Sequence, residues 1–132
     1  MAREEIPFFI DPASAARITQ MTGLETTILT GFHGEKMMMA LNATSPGHSV
    51  PTHSHPHEQI GMVFSGRAIL RIGTEERTVQ KGDFYCIPPN VPHSDTCLGD
   101  VPFVMLDIFY PIRNDFLEKL QGKTGKEGPL QD

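Results

Sequence analysis

A series of short apolar segments separated by turn residues constrains the fold of this chain most. Residues 58–65, 67–72 and 77–80 form three such segments, with Ser65-Gly66 and Gly73-Thr74 between them, and residues 84–87 and 101–110 continue the series. Short strands at this spacing predict an antiparallel sandwich or barrel. We therefore expect an all-β protein with one domain over residues 1–120 and a flexible tail over residues 121–132.

Histidines are concentrated just before the first of these segments. His53, His55 and His57 fall within five residues, and Gln59 follows them. On a regular strand these four side chains would share one face, and two neutral imidazoles at i and i+2 can bind one divalent ion. Pro56 interrupts regular strand pairing, so His57 ranks below the other two histidines as a ligand. The alternative is a solvated loop, because short histidine tracts are only compositional signs of metal binding.

A second stretch, GDFYCIPPNVPH at residues 82–93, supplies a further candidate ligand. Turn residues flank a short strand at residues 84–87, and Pro92 restricts the backbone just before His93. A lone histidine in this position would more often be structural. Together with the first cluster, His93 is predicted to be the third imidazole ligand.

These two stretches resemble the two sequence motifs of the cupins. The matching positions are His53, His55, Gln59 and Gly66 in the first motif, and Gly82, Pro88, Asn90 and His93 in the second. The resemblance implies an antiparallel double-sheet jelly-roll β-barrel with short terminal helices. It also implies one divalent ion (Zn, Ni, Fe, Mn or Cu) bound by His53, His55, Gln59 and His93. The chain departs from the broad motifs at Gln59, where glutamate is usual, and at Cys97, where asparagine is expected.

The end of the last long segment narrows the resemblance. Asp107, Phe109, Pro111, Arg113 and Asp115 repeat the terminal pattern of small cupins linked to pectin and alginate breakdown. Members of that group open the ring of unsaturated uronate monomers. The resemblance implies that Asp107 moves the proton, that Arg113 binds the substrate carboxylate, and that Phe109 shapes the pocket. On pattern alone, Asp107 shares a face with Met105 and Phe109, and that face could point inward or outward.

Two other classes of function remain open at this point. One is a metal-dependent dioxygenase or another sugar isomerase, because a site with three histidines can also activate oxygen. The other is a non-catalytic protein that binds sugar acids. In every case we expect the ligand to be a small molecule, with a sugar acid the first choice.

The N-terminal segment, residues 6–10 (IPFFI), is predicted to be a strand, and the resemblance to the cupins implies that it crosses to a partner subunit. The segment is too apolar to lie free in water, so we expect a homodimer that buries it. Asp11 and Pro12 have the pattern of a helix N-cap and first helical residue, so a short helix is expected at residues 13–21. Gly23 would end this helix. A second helix is expected at residues 112–120.

Composition excludes several partners. The 132 residues carry a formal net charge of −5 without a basic stripe, which argues against nucleic acid as a partner. We find neither a secretory signal nor an apolar run long enough for a membrane span, so the expected location is the cytoplasm. Cys86 and Cys97 are expected to be reduced thiols, with Cys86 in the core.

Overall fold

The computed structural model describes residues 6–121 and consists mainly of strands. A three-residue 3₁₀ turn, Pro12–Ser14, precedes the strands, and one helix, α1 (Asn114–Leu120), follows them. The ten strands are β1 (Ala16–Met21), β2 (Leu24–Ile28), β3 (Met38–Thr44), β4 (Ser49–His53), β5 (Glu58–Ser65), β6 (Arg67–Ile72), β7 (Glu75–Gln80), β8 (Phe84–Ile87), β9 (His93–Leu98) and β10 (Phe103–Tyr110).

All strand pairs are antiparallel, and the strands form two sheets. The larger sheet has the order β1-β2-β3-β10-β5-β8, and the smaller has the order β4-β9-β6-β7. The all-β double-sheet architecture predicted from the sequence is confirmed. Strands β4 and β5 are consecutive in sequence but belong to different sheets, so residues 54–57 cross from one sheet to the other.

Inward side chains alternate along the strands, and on β10 they include one charged group. Phe103, Met105, Asp107 and Phe109 are all buried on this strand. Phe103 and Met105 belong to one apolar cluster between the sheets, whereas Phe109 belongs to a second cluster that includes Phe116 of α1. Asp107 therefore lies on the inward face, between two apolar regions of the core.

The larger sheet exposes an outer apolar face on β5, β8 and β10, which we define by Ile60, Phe64, Phe84 and Tyr110. These side chains are 43%, 51%, 78% and 52% exposed, respectively. The inward positions of β5 are Gln59 and Val63, so the more apolar face of this strand is the one that points away from the core. Several large apolar side chains exposed on one face of a sheet can mark an interaction site.

The beginning of the chain differs from the prediction. Residues 13–21 are not a helix, because residues 16–21 pair with β2 as strand β1. The cap itself is present: Asp11 accepts a hydrogen bond from the Ala13 N–H, and Pro12 starts the 3₁₀ turn, which ends after three residues. Pairing with β2 buries Ile18, and this tertiary contact outweighs the local helix signal.

The N-terminal segment is not a strand either. Phe8 and Phe9 are 91% and 93% exposed, since neither sheet of the same chain accepts them as a neighbouring strand. Cys86 is exposed and Cys97 is buried, so the prediction of a core position was wrong for Cys86, and both thiols are free. The C-terminal helix is confirmed as α1, but most of the expected tail lies outside the described residues. Between residues 6 and 121 no helix is both long enough and apolar enough to cross a membrane.

Candidate metal centre

Three imidazoles converge at one end of the space between the sheets. The ligand atoms of His53, His55 and His93 all lie within 4.8 Å of one another. The ring centroids of His53 and His93 are 4.2 Å apart, and those of His55 and His93 are 5.0 Å apart. Such a group of nitrogen ligands is suited to binding one divalent ion.

Strand pairing brings these histidines together although they are distant in sequence. His53 ends β4 and lies directly opposite His93, the first residue of β9. His55 belongs to the crossing segment, and its backbone oxygen accepts a 2.8 Å hydrogen bond from the Asn90 N–H. Asn90 has a positive φ of 66°, a conformation that asparagine tolerates better than most residues. The turn before β9 therefore holds the crossing segment in place.

The tautomer of each imidazole follows from its backbone contact. Nδ1 lies 2.9 Å from the Pro51 oxygen in His53, 3.0 Å from the His57 oxygen in His55, and 2.9 Å from the Val91 oxygen in His93. A carbonyl oxygen only accepts hydrogen bonds, so each Nδ1 carries the hydrogen. Each Nε2 then presents its lone pair, which is the arrangement that outer hydrogen bonds impose on metal-binding histidines.

Burial keeps two of these imidazoles neutral. Burial, with the positive charge of Arg113 and the neighbouring His93, lowers the pKa of His55 to about 4. Burial also lowers the pKa of His93 to about 4, against the hydrogen bond with the Val91 carbonyl. Neutral imidazole is the form that binds a metal, so both side chains are in the required state at neutral pH.

Gln59, the predicted fourth ligand, lies between His55 and Asp107 and contacts both. The Gln59 Nε2 group donates to Asp107 Oδ1 over 3.0 Å, so its Oε1 faces the histidines. That oxygen lies 2.9 Å from His55 Nε2. Both atoms present lone pairs, because the hydrogen of His55 is on Nδ1. Two ligands each about 2.1 Å from one ion and at right angles to it would be roughly 3 Å apart, so this pair fits a shared cation.

Asp107 is fully buried and accepts hydrogen bonds through both oxygens. The Tyr85 hydroxyl donates to Oδ1 over 2.6 Å, and Asn42 Nδ2 donates to Oδ2 over 2.6 Å. Burial raises the pKa of Asp107 and outweighs the hydrogen bonds from Tyr85, Asn42 and Gln59, which lower it. All three side chains donate to Asp107, so both of its oxygens act as acceptors. The prediction left the direction of Asp107 open, and the structure places it inward.

A glycine allows Tyr85 to reach Asp107. Gly61 lies opposite Tyr85 of β8 on one side and opposite Asp107 of β10 on the other. A Cβ added at Gly61 would overlap the Leu106 backbone oxygen and would lie 2.7 Å from the Tyr85 hydroxyl oxygen. The missing side chain therefore leaves the path by which the phenol crosses β5. A glycine inside a strand often marks such a close approach.

Arg113 is buried beside the site, and its donors already have a partner. Its Nε and Nη2 atoms donate to the two carboxylate oxygens of Asp115 over 3.0 and 2.8 Å. The guanidinium carbon lies 4.9 Å from the ring centroid of Phe109 and 4.1 Å from that of Phe116. The charge of Arg113 acts on both His55 and His93, so it contributes positive potential at the histidine cluster.

His57 lies beside the cluster without joining it. Its ring centroid is 5.5 Å from that of His55, and its buried Nδ1 has no hydrogen-bond partner. Burial and the charge of Arg113 lower the pKa of His57, although Asp115 opposes this. The group of potential ligands contains His53, His55 and His93 but not His57, in agreement with its lower rank.

Sequence reasoning missed the outer part of the site. Asn42 and Tyr85 were not identified as contacts of Asp107, although the polar Asn42 in an apolar strand and the mid-strand Gly61 were available signals. Asp95 is a further buried aspartate that was not identified, and it has no hydrogen bond to a candidate ligand. It accepts a 2.8 Å hydrogen bond from the Thr44 hydroxyl, and burial raises its pKa to about 6. A cleft of about 410 Å³ between β6, β7 and β8 includes Tyr85 but none of the four candidate ligands.

Comparison with known proteins identifies the class to which this fold and site belong. The profile of the family described as Cupin domain matches residues 43–109, which contain all four candidate ligands. The chain belongs to the cupin family. An uncharacterized protein of Methanocaldococcus jannaschii is 32% identical over 81 residues, which are 61% of this chain and 65% of that protein. The chain thus spans slightly less than two thirds of this relative.

Solved structures show the same fold. An RmlC-like cupin from Shewanella frigidimarina is 24% identical with a TM-score of 0.73, over 84% of this chain and 96% of that one. KdgF from Halomonas sp. is 23% identical with a TM-score of 0.74, over 84% and 99% of the two chains. A predicted oxalate decarboxylase from Thermotoga maritima is 19% identical with a TM-score of 0.68, over 80% and 100%. At these identities the likeness establishes the jelly-roll cupin fold alone.

Proposed function

We propose that this cupin is a metal-dependent enzyme that opens the ring of unsaturated uronates from pectin or alginate breakdown. The observation that carries the proposal is the convergence of one ring nitrogen from each of three imidazoles. The Gln59 oxygen lies beside one of them, and the positive charge of Arg113 acts on the group. A sugar acid has hydroxyl and ring oxygens for a metal and a carboxylate for an arginine. The terminal pattern from Asp107 to Asp115 also supports this substrate class.

The candidate ligands suit Lewis-acid chemistry. A divalent ion held by His53, His55, Gln59 and His93 would polarise a bound sugar oxygen. None of the four side chains carries a negative charge as a ligand, so they leave the full charge of the ion available to a substrate oxygen. The donor set does not select among Zn, Ni, Fe, Mn and Cu, because imidazole suits several of these metals.

The remaining residues would bind and orient the substrate. Arg113 is proposed to attract the substrate carboxylate, which would compete with Asp115 for the same guanidinium donors. Phe109 is proposed to form a wall beside His55, because the two ring centroids are 5.9 Å apart. Ring opening breaks the bond between C1 and the ring oxygen and moves the proton of the anomeric hydroxyl to that oxygen, which leaves an aldehyde and an enol. The enol then becomes the keto acid when its proton moves to C4, and this removes the conjugated double bond. The assignment of this transfer to Asp107 stays a prediction, and the contacts of Asp107 favour a different role, which is developed below.

We also propose that the protein is a homodimer, as predicted from the N-terminal segment. Phe8 and Phe9 are almost fully exposed in the single chain. At roughly 200 Å² for a whole aromatic side chain, the four residues of the outer apolar face together expose several hundred Å². This is a large part of the approximately 800 Å² that each partner contributes to a standard interface. A second copy of the chain is the proposed occupant of this surface.

The test combines metal analysis with an assay on unsaturated uronate monomers. The purified protein is expected to contain about one divalent ion and to remove the absorbance of the conjugated double bond. His93→Ala should lose both metal and turnover, whereas the matched control His57→Ala should keep the metal. Full metal content in His93→Ala would refute the proposed centre. Turnover that requires oxygen and a redox-active metal would replace ring opening with dioxygenase chemistry.

A further inference from the structure

We propose that Asp107 is a positioning residue that fixes the Gln59 amide with its oxygen toward the histidines. The inference rests on the metal centre proposed above and assigns Asp107 a role that acts through Gln59. It also gives a reason why residue 59 is glutamine and not glutamate: only the amide can donate a hydrogen bond to Asp107 and still present an oxygen to the histidines.

The direction of the hydrogen bond between Gln59 and Asp107 sets the orientation of the Gln59 amide. Both oxygens of Asp107 already accept hydrogen bonds, Oδ1 from Tyr85 and Oδ2 from Asn42. Asp107 therefore presents an acceptor to Gln59 and selects the Gln59 nitrogen as its neighbour. The amide oxygen then has one direction left, toward His55. Without this selection, the two ends of the amide are nearly equal in shape, and either could face the imidazoles. Asp107 therefore determines whether a lone pair or an N–H group points at the ion.

Replacing either Gln59 or Asp107 alone would disturb the hydrogen bond between them. In Gln59→Glu, two carboxylates would be in contact across the present 3.0 Å bond, and both would be buried. Like charges at this separation oppose each other strongly. In Asp107→Asn, the new amide nitrogen can face the Gln59 nitrogen, and rotation of the Gln59 amide relieves this contact. The rotated amide presents N–H groups to the imidazoles, so Gln59 no longer serves as a ligand.

Exchanging both residues restores a matched hydrogen-bond donor and acceptor at positions 59 and 107. In Gln59→Glu combined with Asp107→Asn, the residue 107 amide donates to the residue 59 carboxylate. The Tyr85 hydroxyl can accept from the same amide and turn its own hydrogen toward the Leu106 or Met62 backbone oxygen, 3.4 and 3.5 Å away. The remaining oxygen at position 107 still accepts from Asn42. Each polar group of the network keeps a partner, and the negative charge moves onto the ligand.

The experiment titrates Co²⁺ alone into metal-free protein and follows the visible ligand-field absorption, with a competing chelator to set the dissociation constant. Removing a residue that orients a metal ligand typically weakens metal affinity by about 10- to 100-fold. We expect Asp107→Asn and Gln59→Ala to weaken Co²⁺ binding by a similar factor in this range. Asp107→Asn should add little in the Gln59→Ala background. The double exchange should recover affinity to within a few-fold of the wild type, with a shifted spectrum, because a carboxylate replaces the amide oxygen.

A matched control and a metal-free measurement keep the outcome independent of folding. Asp95→Asn changes another buried aspartate, which bonds to Thr44 and not to a candidate ligand. It should leave Co²⁺ affinity unchanged. In urea unfolding of metal-free protein, Gln59→Glu should unfold at a lower midpoint than the wild type, and the double exchange should restore the midpoint. This second measurement tests the pairing itself.

Three results would overturn the inference. The first is an Asp107→Asn variant with the Co²⁺ affinity and spectrum of the wild type. The second is a loss of Co²⁺ affinity on Asp107→Asn that is as large in the Gln59→Ala background as in the wild type. The third is a double exchange that binds Co²⁺ no more tightly than Asp107→Asn alone. The first result, together with a large loss of kcat, would return Asp107 to the proton-transfer role. Failure of the wild-type protein to bind Co²⁺ would remove the metal centre itself, and with it this role, so the two failures are distinguishable.

Discussion

Gly61→Ala tests whether the close approach of Tyr85 to Asp107 depends on an absent side chain. The added methyl would overlap the Leu106 backbone oxygen and would lie 2.7 Å from the Tyr85 hydroxyl oxygen. The Leu106 oxygen belongs to β10, the strand paired with β5, so it cannot move without shifting the pairing. Overpacking of this kind costs about 1–3 kcal/mol. Loss of the Tyr85 hydrogen bond to a charged group adds about 1.5–3 kcal/mol.

The expected decrease in the free energy of unfolding for Gly61→Ala is therefore roughly 2.5–6 kcal/mol, a large part of the stability of a typical domain. Urea unfolding of the metal-free protein measures it. Gly34→Ala is the control, because an added Cβ there meets nothing within 4 Å and acts only through the positive φ of 85°. Its cost should be about 1–2 kcal/mol. In the Tyr85→Phe background, Gly61→Ala should cost less than in the wild type. A change below about 1 kcal/mol in Gly61→Ala would contradict the reasoning.

Three further predictions concern the substrate, pH and assembly. Arg113→Ala should chiefly raise KM for the uronate, whereas Asp115→Asn should lower KM, because it frees the guanidinium of Arg113. Steady-state kinetics would measure both changes, and an unchanged KM in Arg113→Ala would exclude carboxylate binding by this residue. The metal-free protein should lose stability as the pH falls from about 6.5 to about 4, because the unfolded chain takes up protons on His55 and His93 that the folded state does not bind. Asp95, with its pKa raised to about 6, acts in the opposite direction, so Asp95→Asn should steepen the loss in urea unfolding across this range. Light scattering at micromolar concentration should give the mass of a dimer, and removal of the N-terminal segment should shift it toward the monomer.

The sequence predicted those parts of the site that depend on local spacing. His53, His55 and Gln59 lie within seven residues, and His93 follows a turn of Pro and Asn, so a short stretch of chain positions each of them. The strand at Arg67–Ile72 was predictable for the same reason, because alternating apolar residues and flanking glycines define it without reference to distant segments.

The contacts of Asp107 could not be predicted in this way. They depend on the register of β3, β10, β5 and β8, which places Asp107 opposite Gly61 and Gly61 opposite Tyr85. Local periodicity gives the parity of a residue but not its partners on another strand. The direction of Asp107 was undetermined for this reason. The failure at residues 13–21 is related, because pairing with β2 decided a segment that the cap at Asp11 marked as helical.

The four candidate ligands come from both sheets, so a bound ion would restrict the motion of one sheet relative to the other. His53 and His93 belong to the smaller sheet, Gln59 belongs to the larger sheet, and His55 lies on the segment between them. An ion bound to all four would cross-link the sheets at this end of the molecule, where no strand pairs across the gap from β4 to β5 within the described residues. At a free metal concentration a thousand times the dissociation constant, binding adds about 4.1 kcal/mol to the stability of the folded state. Opening of the sandwich at this end would then require release of the ion, so amide hydrogen exchange in β4 and β5 would slow together and report metal occupancy without any substrate.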